Sequence, residues 1–335
     1  MRTTNADTSW PPKEPPRPDQ PLALYPVPHD LRSIAAGLQF PEGPIACDDG
    51  SILVVEVRGQ TLKRISLNGG IEVVAELAGG PNGAAIGPDG AVYVCNNGGL
   101  PWTQMPDGSW YPIDSATGSM QPASYTHGWI ERVDLTTQRV ERLYEADERP
   151  LSAPNDIAFD GQGQMWFTDT GKTAISSTAL GAVYRAEIDG SSIKCMAFGL
   201  LGPNGIAFMP DGDSLVVADT PTGRLWRWDR HAITECTTPR RHGGTVQTTL
   251  PGAAALDSLA IDSEGRVVVA LPGNGALGVV EPDGAIALIS MPDPMPTNIC
   301  FGGPDLRTAF VTLGGFGDVV AFGWPCSGAP LPFGS

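Results

Sequence analysis

From about Leu31 to about Trp324 the chain is written in short apolar runs, each closed by a turn signal. In PNGIAFMPDGDSLVVAD, Pro203 to Asp219, a polar opener leads an alternating apolar run, Asp-Gly interrupts it, and a second run ends in Asp. This predicts strand, turn, strand. Similar phrases open at Glu42, Asn82, Asn155, Asn204, Asp257 and, more loosely, Thr297. Eight residues after the opener a glycine recurs in five of the six copies: Gly50, Gly90, Gly163, Gly212 and Gly265. Glycine there supplies the positive φ of a tight hairpin. A second β run follows (ILVVEV, VYVCN, MWFTD, LVVAD, VVVAL), then a third (TLKRIS, WIERVD, AVYRAEID, RLWRWD, LGVVEP). Closing segments such as VERLYE complete four-stranded units. Apolar periodicity of helical type never persists beyond about two turns, so few helices are expected.

The openers are spaced by 40 residues (42 to 82), 73 (82 to 155), 49 (155 to 204), 53 (204 to 257) and 40 (257 to 297). Repeats of roughly 40–50 residues with four short strands each describe a propeller blade. The expected fold is therefore all-β, a six-bladed β-propeller spanning residues 31–335 with a central metal site. A β-sandwich would give no reason for one phrase to recur six times. LRSIAAGL, just before Glu42, is expected to pair with the last blade and close the ring, leaving no open edge. Residues 1–30 read as a Pro-rich extended arm. The 73-residue interval contains an insertion, about 98–128, with Trp102, Trp110, Tyr111 and Tyr125, followed closely by Trp129. A long aromatic loop in a compact domain suggests an ordered flap, a candidate lid.

Composition adds exclusions. The net charge is −16, from 21 Lys+Arg against 37 Asp+Glu, which disfavours nucleic acid and anionic membrane surfaces as partners. Six scattered cysteines have no C-x-x-C pair, so they read as buried free thiols. No secretory leader or membrane-length apolar run is evident, and a cytoplasmic protein is expected. No G-x-S-x-G, H-E-x-x-H or P-loop is present, and G-N-G-A-L-G at 273–278 falls within a hairpin pattern.

In a propeller the innermost strands run along the axis, so the openers Glu42, Asn82, Asn155, Asn204, Asp257 and Thr297 converge at one end of the channel. Turn chemistry explains Pro-Asn-Gly at Asn82 and Asn204. It does not explain Glu42, or two acids sharing a ring with amides. Carboxylates together with amide carbonyls suit a hard cation such as calcium; zinc or copper would favour His or Cys, and neither occupies the column. A divalent ion would also neutralise the two acids. A second column, Glu56, Asn96/Asn97, Asp169 and Asp219, ends the second strands. Asp219 reads as a turn cap, whereas Asn97 and Asp169 are expected to face the pocket.

EGP at Glu42, APNDIAFDGQGQMWFTDTG at 153–171, GPNGIAFMPDG at 202–212, LDSLAIDSEG at 256–265 and TNICFGGPDLRTAFVT at 297–312 resemble the senescence-marker-protein/gluconolactonase/luciferin-regenerating-enzyme family. The resemblance spans about 35–324. It implies a six-bladed propeller with a divalent ion, most often Ca²⁺, with Mg²⁺, Mn²⁺, Fe²⁺ or Zn²⁺ as alternatives. The ligands it implies are Glu42, Asn155, Asn204 and Asp257, with Asn82 and Thr297 on the substrate side. It further implies hydrolysis of a small-molecule lactone of a sugar acid or other hydroxy acid. Asp257 is the candidate base, with His127 a weaker one, and Trp110 and His127 are candidate substrate contacts. Phosphotriester hydrolysis on the same site and a non-catalytic calcium- or protein-binding propeller are the alternatives; a lyase is a more distant one.

Overall fold

The computed structural model describes residue 10 and residues 22–66, 68–146, 149–236, 242–252 and 254–334. These form six sheets arranged as the blades of a β-propeller. The inner strands, in blade order, are Pro41–Ala46, Pro81–Ile86, Pro154–Phe159, Pro203–Phe208, Leu259–Ile261 and Pro296–Gly302. Each begins a meander of antiparallel strands running outward. The predicted hairpin glycines all take positive φ, from 70° at Gly212 to 83° at Gly163. In the sixth copy, which lacks that glycine, Gly303 and Leu306 turn the chain with φ of 82° and 55°. A single 3₁₀ turn, Thr220–Thr222, is the one helical element among the described residues, and no helix there is long and apolar enough to cross a membrane.

The second strands carry the apolar mass. LVV at 53–55, VVVA at 267–270 and LVVA at 215–218 are fully buried, because both faces of a blade pack against neighbouring blades. The sixth blade is closed by Arg32–Ala35, antiparallel to Asp318–Gly323, as the sequence predicts. Leu22–Tyr25 adds a fifth, parallel strand to the outside of blade 5, beside Ile286–Ser290. Trp10 is buried against Tyr25 and Trp324, with ring centroids 5.4 and 4.9 Å away. The rest of the Pro-rich arm, residues 1–9 and 11–21, lies outside the described residues. Cys47, Cys95, Cys300 and Cys326 are free thiols.

Two features bring the openers to the axis. Antiparallel register breaks at the start of the inner strand in five blades, between Glu42 and Ile45, Pro81 and Ala84, Pro154 and Ile157, Pro203 and Ile206, and Pro296 and Asn298. Such bulges turn side chains out of the pleat and towards the axis. The residue after the opener then sets how closely inner strands approach. A Cβ on Gly83 would lie 2.5 Å from the Asn155 carbonyl oxygen and Asp156 Cα, and one on Gly205 would lie 2.7 Å from the Leu259 nitrogen. Backbone cannot yield there, so only glycine fits.

Below the openers the channel widens into a cavity of about 470 Å³ walled by inner-strand residues such as Ile45, Ala84, Phe159 and Ile206. Asp156 and Asn298 line it too, while Ala329–Gly334 cross its far mouth. Ala329 donates to the Ile261 carbonyl on one side, and Phe333 sits 6.1 Å from Phe159 on the other.

Gly205→Ala is expected to cost roughly 3 kcal/mol or more, at the upper end for overpacking. Gly90, with φ of 76° and nothing within 4 Å of a built Cβ, should lose only about 1–2 kcal/mol on change to Ala. Urea unfolding of the two variants checks the order.

Candidate active site at the axial ring

Glu42, Asn82, Asn155 and Asn204 are buried at the axial ends of their strands, and Asp257 is half-buried beside them. Asp156, directly after Asn155, joins them. Its carboxylate accepts from the Ile157 amide at 2.9 Å and from the Ile206 amide of the next blade at 3.3 Å. The sequence reading missed Asp156, although a signal existed: the position after the opener reads Gly43, Gly83, Asp156, Gly205, Ser258, Asn298. The three departures from glycine are all polar, and all three belong to the site. Asn298 donates at 2.7 Å to Glu42 Oε2 across the seam between blades 6 and 1. Ser258 is fully buried, with Oγ 3.5 Å from Asn204 Oδ1.

Electrostatically the ring is unfinished. Burial pushes the Glu42 carboxyl well above its usual range, and the charges of Asp257 and Asp156 push it further. Burial drives Asp156 up to about 7 against its hydrogen bonds from Ile157, Ile206 and Ser258. Asp257 is raised by burial and by Asp156, against a hydrogen bond from the Asn204 side chain. Among the described residues no Lys, Arg or His forms an ion pair with any of the three. The amides show a matching deficit: Asn82 Oδ1 and Asn155 Oδ1 are buried without a hydrogen-bond partner. Buried acceptors are normally satisfied, so two orphaned oxygens beside three unneutralised acids describe a set of donors suited to a cation. No group of three or more His, Cys, Asp or Glu is arranged to hold a metal among the described residues. A cation here would draw on amide oxygens as well as acids.

Other expected contacts lie elsewhere. Thr297 is fully buried and donates to the Pro41 carbonyl at 2.9 Å, tying blade 6 to blade 1; Asn298 takes its place at the axis. Thr168 does the same between blades 3 and 4, donating to the Asn204 carbonyl at 2.6 Å. Asp169 does not face the pocket, because its oxygens accept from the Ser152, Ala153 and Gly171 amides at 2.7, 2.7 and 3.0 Å. Glu56 accepts from Gln39, Asn96 from Gly80, and Asp219 from Gly202. The second column thus caps the turns that deliver the openers, as expected for Asp219 and contrary to expectation for Asp169. Asn97 is buried and its Oδ1 accepts from Gly99 at 2.9 Å, so it shapes the root of the insertion. His127 is on the rim, edge-on to Trp129 with Nδ1 3.0 Å from the Gly128 carbonyl oxygen.

The insertion leaves blade 2 at the opener end. It carries a two-stranded hairpin, Thr103–Gln104 with Trp110–Tyr111. Trp110 donates its amide to the Gly315 carbonyl of blade 6 at 2.9 Å, and its ring lies 4.1 Å beneath the Arg58 guanidinium of blade 1. Trp102 packs on Phe40 at 4.8 Å, two residues before Glu42. At its other end, Met120 donates to the Thr173 carbonyl of blade 3 at 2.9 Å. The insertion therefore reaches from blade 3 to blade 6 over the face that carries the ring.

Residues 40–315 match the family model described as the SMP-30/Gluconolactonase/LRE-like region. The chain belongs to this family. Among its relatives, a gluconolactonase of Zymomonas mobilis is 24% identical over 317 residues, covering 87% of this chain and 80% of that protein. A diisopropyl-fluorophosphatase of Loligo vulgaris is 31% identical over 213 residues, covering 59% and 66%. The solved structure of a calcium-binding regucalcin from Agrobacterium tumefaciens superposes with a TM-score of 0.67 at 18% identity, covering 93% of this chain and 99% of that one. At that identity the likeness concerns the fold.

Within this family member the caps are structural. Asp169→Ala is expected to destabilise by about 3 kcal/mol, because three backbone N–H groups lose an acceptor. Urea denaturation followed by circular dichroism checks the size of the loss.

Proposed function

We propose that this chain is a divalent-cation-dependent hydrolase that opens small-molecule lactones at the axial ring. The observation that carries the reading is the pair of orphaned oxygens, Asn82 Oδ1 and Asn155 Oδ1, beside Glu42, Asp156 and Asp257. Glu42, Asn82, Asn155, Asn204 and Asp257 would hold the ion. Asn82 thus moves from the substrate side to the ligand set, on the same ground as Asn155. Asp156 and Asn298 orient the set from beneath, Asn298 by fixing Glu42 Oε2. The Zymomonas mobilis relative named gluconolactonase supports the choice of a lactone.

When bound, a divalent cation supplies polarisation of the ester carbonyl and stabilisation of the oxyanion, worth several kcal/mol. The chain's own residues do the rest. Asp257 is the least enclosed residue of the three acids, so it is the one assigned to meet incoming water and take its proton. Glu42, buried and held by Asn298 and the Gly43 amide, is fixed in place. The Phe40, Trp102 and Trp110 cluster with Met295 makes an apolar wall beside the ring that excludes bulk water from one side of the reacting ester. Calcium is the favoured ion, since every donor is oxygen. Phosphotriester hydrolysis is the second reading, favoured by the Loligo vulgaris relative, and would use the same residues.

Stripping the protein with a chelator should abolish hydrolysis of a lactone panel while leaving the circular dichroism spectrum intact. Adding Ca²⁺, Mg²⁺, Mn²⁺, Fe²⁺ or Zn²⁺ back singly identifies the ion; lactone turnover unchanged after stripping would sink the reading. Asn82→Leu and Asn155→Leu should each weaken Ca²⁺ binding by at least tenfold in calorimetry, about 1.4 kcal/mol. Asp257→Asn should lower kcat by roughly 10²–10⁴-fold through loss of the base.

A further inference from the structure

Lys172 has a cation's chemistry in a place where the ring cannot use it. It sits in the 170–180 loop of blade 3, and only 6% of it is exposed. Its Nζ donates to the Asn97 carbonyl at 2.8 Å and to the Gly99 carbonyl at 2.7 Å, the first residues of the insertion. The same ammonium lies 5.0 Å from the ring centroid of Tyr125, near the insertion's other end. There the two legs cross closely: a Cβ on Gly98 would lie 2.4 Å from the His127 carbonyl oxygen and 3.0 Å from the Tyr125 ring. Tyr125 in turn donates its hydroxyl to the Ser152 carbonyl at 2.8 Å. The next residue, Thr173, accepts from Met120. One buried side chain thus grips the outgoing and returning legs of a 30-residue loop at once. Burial pulls the Lys172 pKa down to about 7, with the Asp169 charge pulling the other way, so the ammonium is held there against its preference for water.

We propose that Lys172 is a positioning residue that clamps both legs of the 98–128 insertion, so that Trp102 and Trp110 stand at the mouth of the ring and determine which substrates bind. A buried methylene chain of equal length would leave two carbonyls without donors and would release the legs from each other. The chemistry of the ring would be untouched, because Lys172 contacts none of its residues. The substrate half of this proposal rests on the lactonase reading above; the clamp does not.

Lys172→Met, Lys172→Arg and Tyr125→Leu test it in the full chain. Amide hydrogen exchange across 98–128 should quicken at least tenfold in Lys172→Met, with the inner strands unchanged and Ca²⁺ affinity within twofold of wild type. Lys172→Arg, which keeps charge and donors, should recover exchange protection to within threefold. Tyr125→Leu should loosen the loop in the same direction by a smaller factor, and it serves should the Met variant fail to fold. On lactones that the wild type hydrolyses, KM should rise at least tenfold in the Met variant while kcat stays within threefold. Unchanged exchange in 98–128, or a fall in kcat at constant KM, overturns the proposal. If the wild type hydrolyses no lactone, the functional reading fails, and exchange with Ca²⁺ affinity still decides the clamp.

Discussion

Three carboxylates held together at the propeller axis, with no basic side chain paired to them among the described residues, are the condition around which the remaining structure is arranged. Burial alone makes Glu42, Asp156 and Asp257 costly to ionise; the charges of Asp257 and Asp156 add to the cost for Glu42, and that of Asp156 adds to it for Asp257. Among the described residues no lysine or arginine pairs with them to relieve this. The protein surrounds the acids with oriented amides, Asn298 on Glu42 and Asn204 on Asp257, and leaves two further amide oxygens unclaimed. Such an arrangement is poor as a core and suitable as a cage. The ladders of Val and Leu behind it, buried on both blade faces, provide the rigidity to hold like charges together.

That rigidity is built from a few repeated contacts. Bulges at the start of the inner strands turn the openers inward. Carboxylate or amide caps from Glu56, Asn96, Asp169 and Asp219 fix the turns that precede them. Buried threonines, Thr168 and Thr297, stitch neighbouring blades through opener-strand carbonyls. A polar residue at a strand end therefore has two possible destinies, lining the axis from the start of an inner strand or capping a turn from the end of a second strand.

This ambiguity marks the limit of what the sequence could disclose. Six copies of one phrase, with glycine at a fixed offset, made the blades, the hairpin turns and the closing strand legible, because repetition averages out local exceptions. The openers Glu42, Asn82, Asn155, Asn204 and Asp257 were legible for the same reason. Thr297 was misplaced by one residue, because its blade lacks the offset glycine and the bulge there lets Asn298 face inward. Asp156 was hidden by belonging to a position where glycine is the rule, and its meaning depends on packing against Ile206 of the next blade. Asp169 was misread because nothing in the order of residues tells whether a carboxylate meets water or three amides. The destination of the insertion across to Gly315 and Thr173 is likewise a long-range fact.

The closing strand bears on how the molecule is made. Arg32–Ala35 is synthesised well before its partner Asp318–Gly323. Leu22–Tyr25 has a comparable wait for Ile286–Ser290. Both strands stay unpaired until those partners are made, so each pairing closes a loop of large sequence separation. Without the Arg32–Ala35 pairing the outer edge of blade 6 stays open. Ring closure is therefore a non-local step, and the hydrogen bond from Asn298 of blade 6 to Glu42 of blade 1 forms only with it.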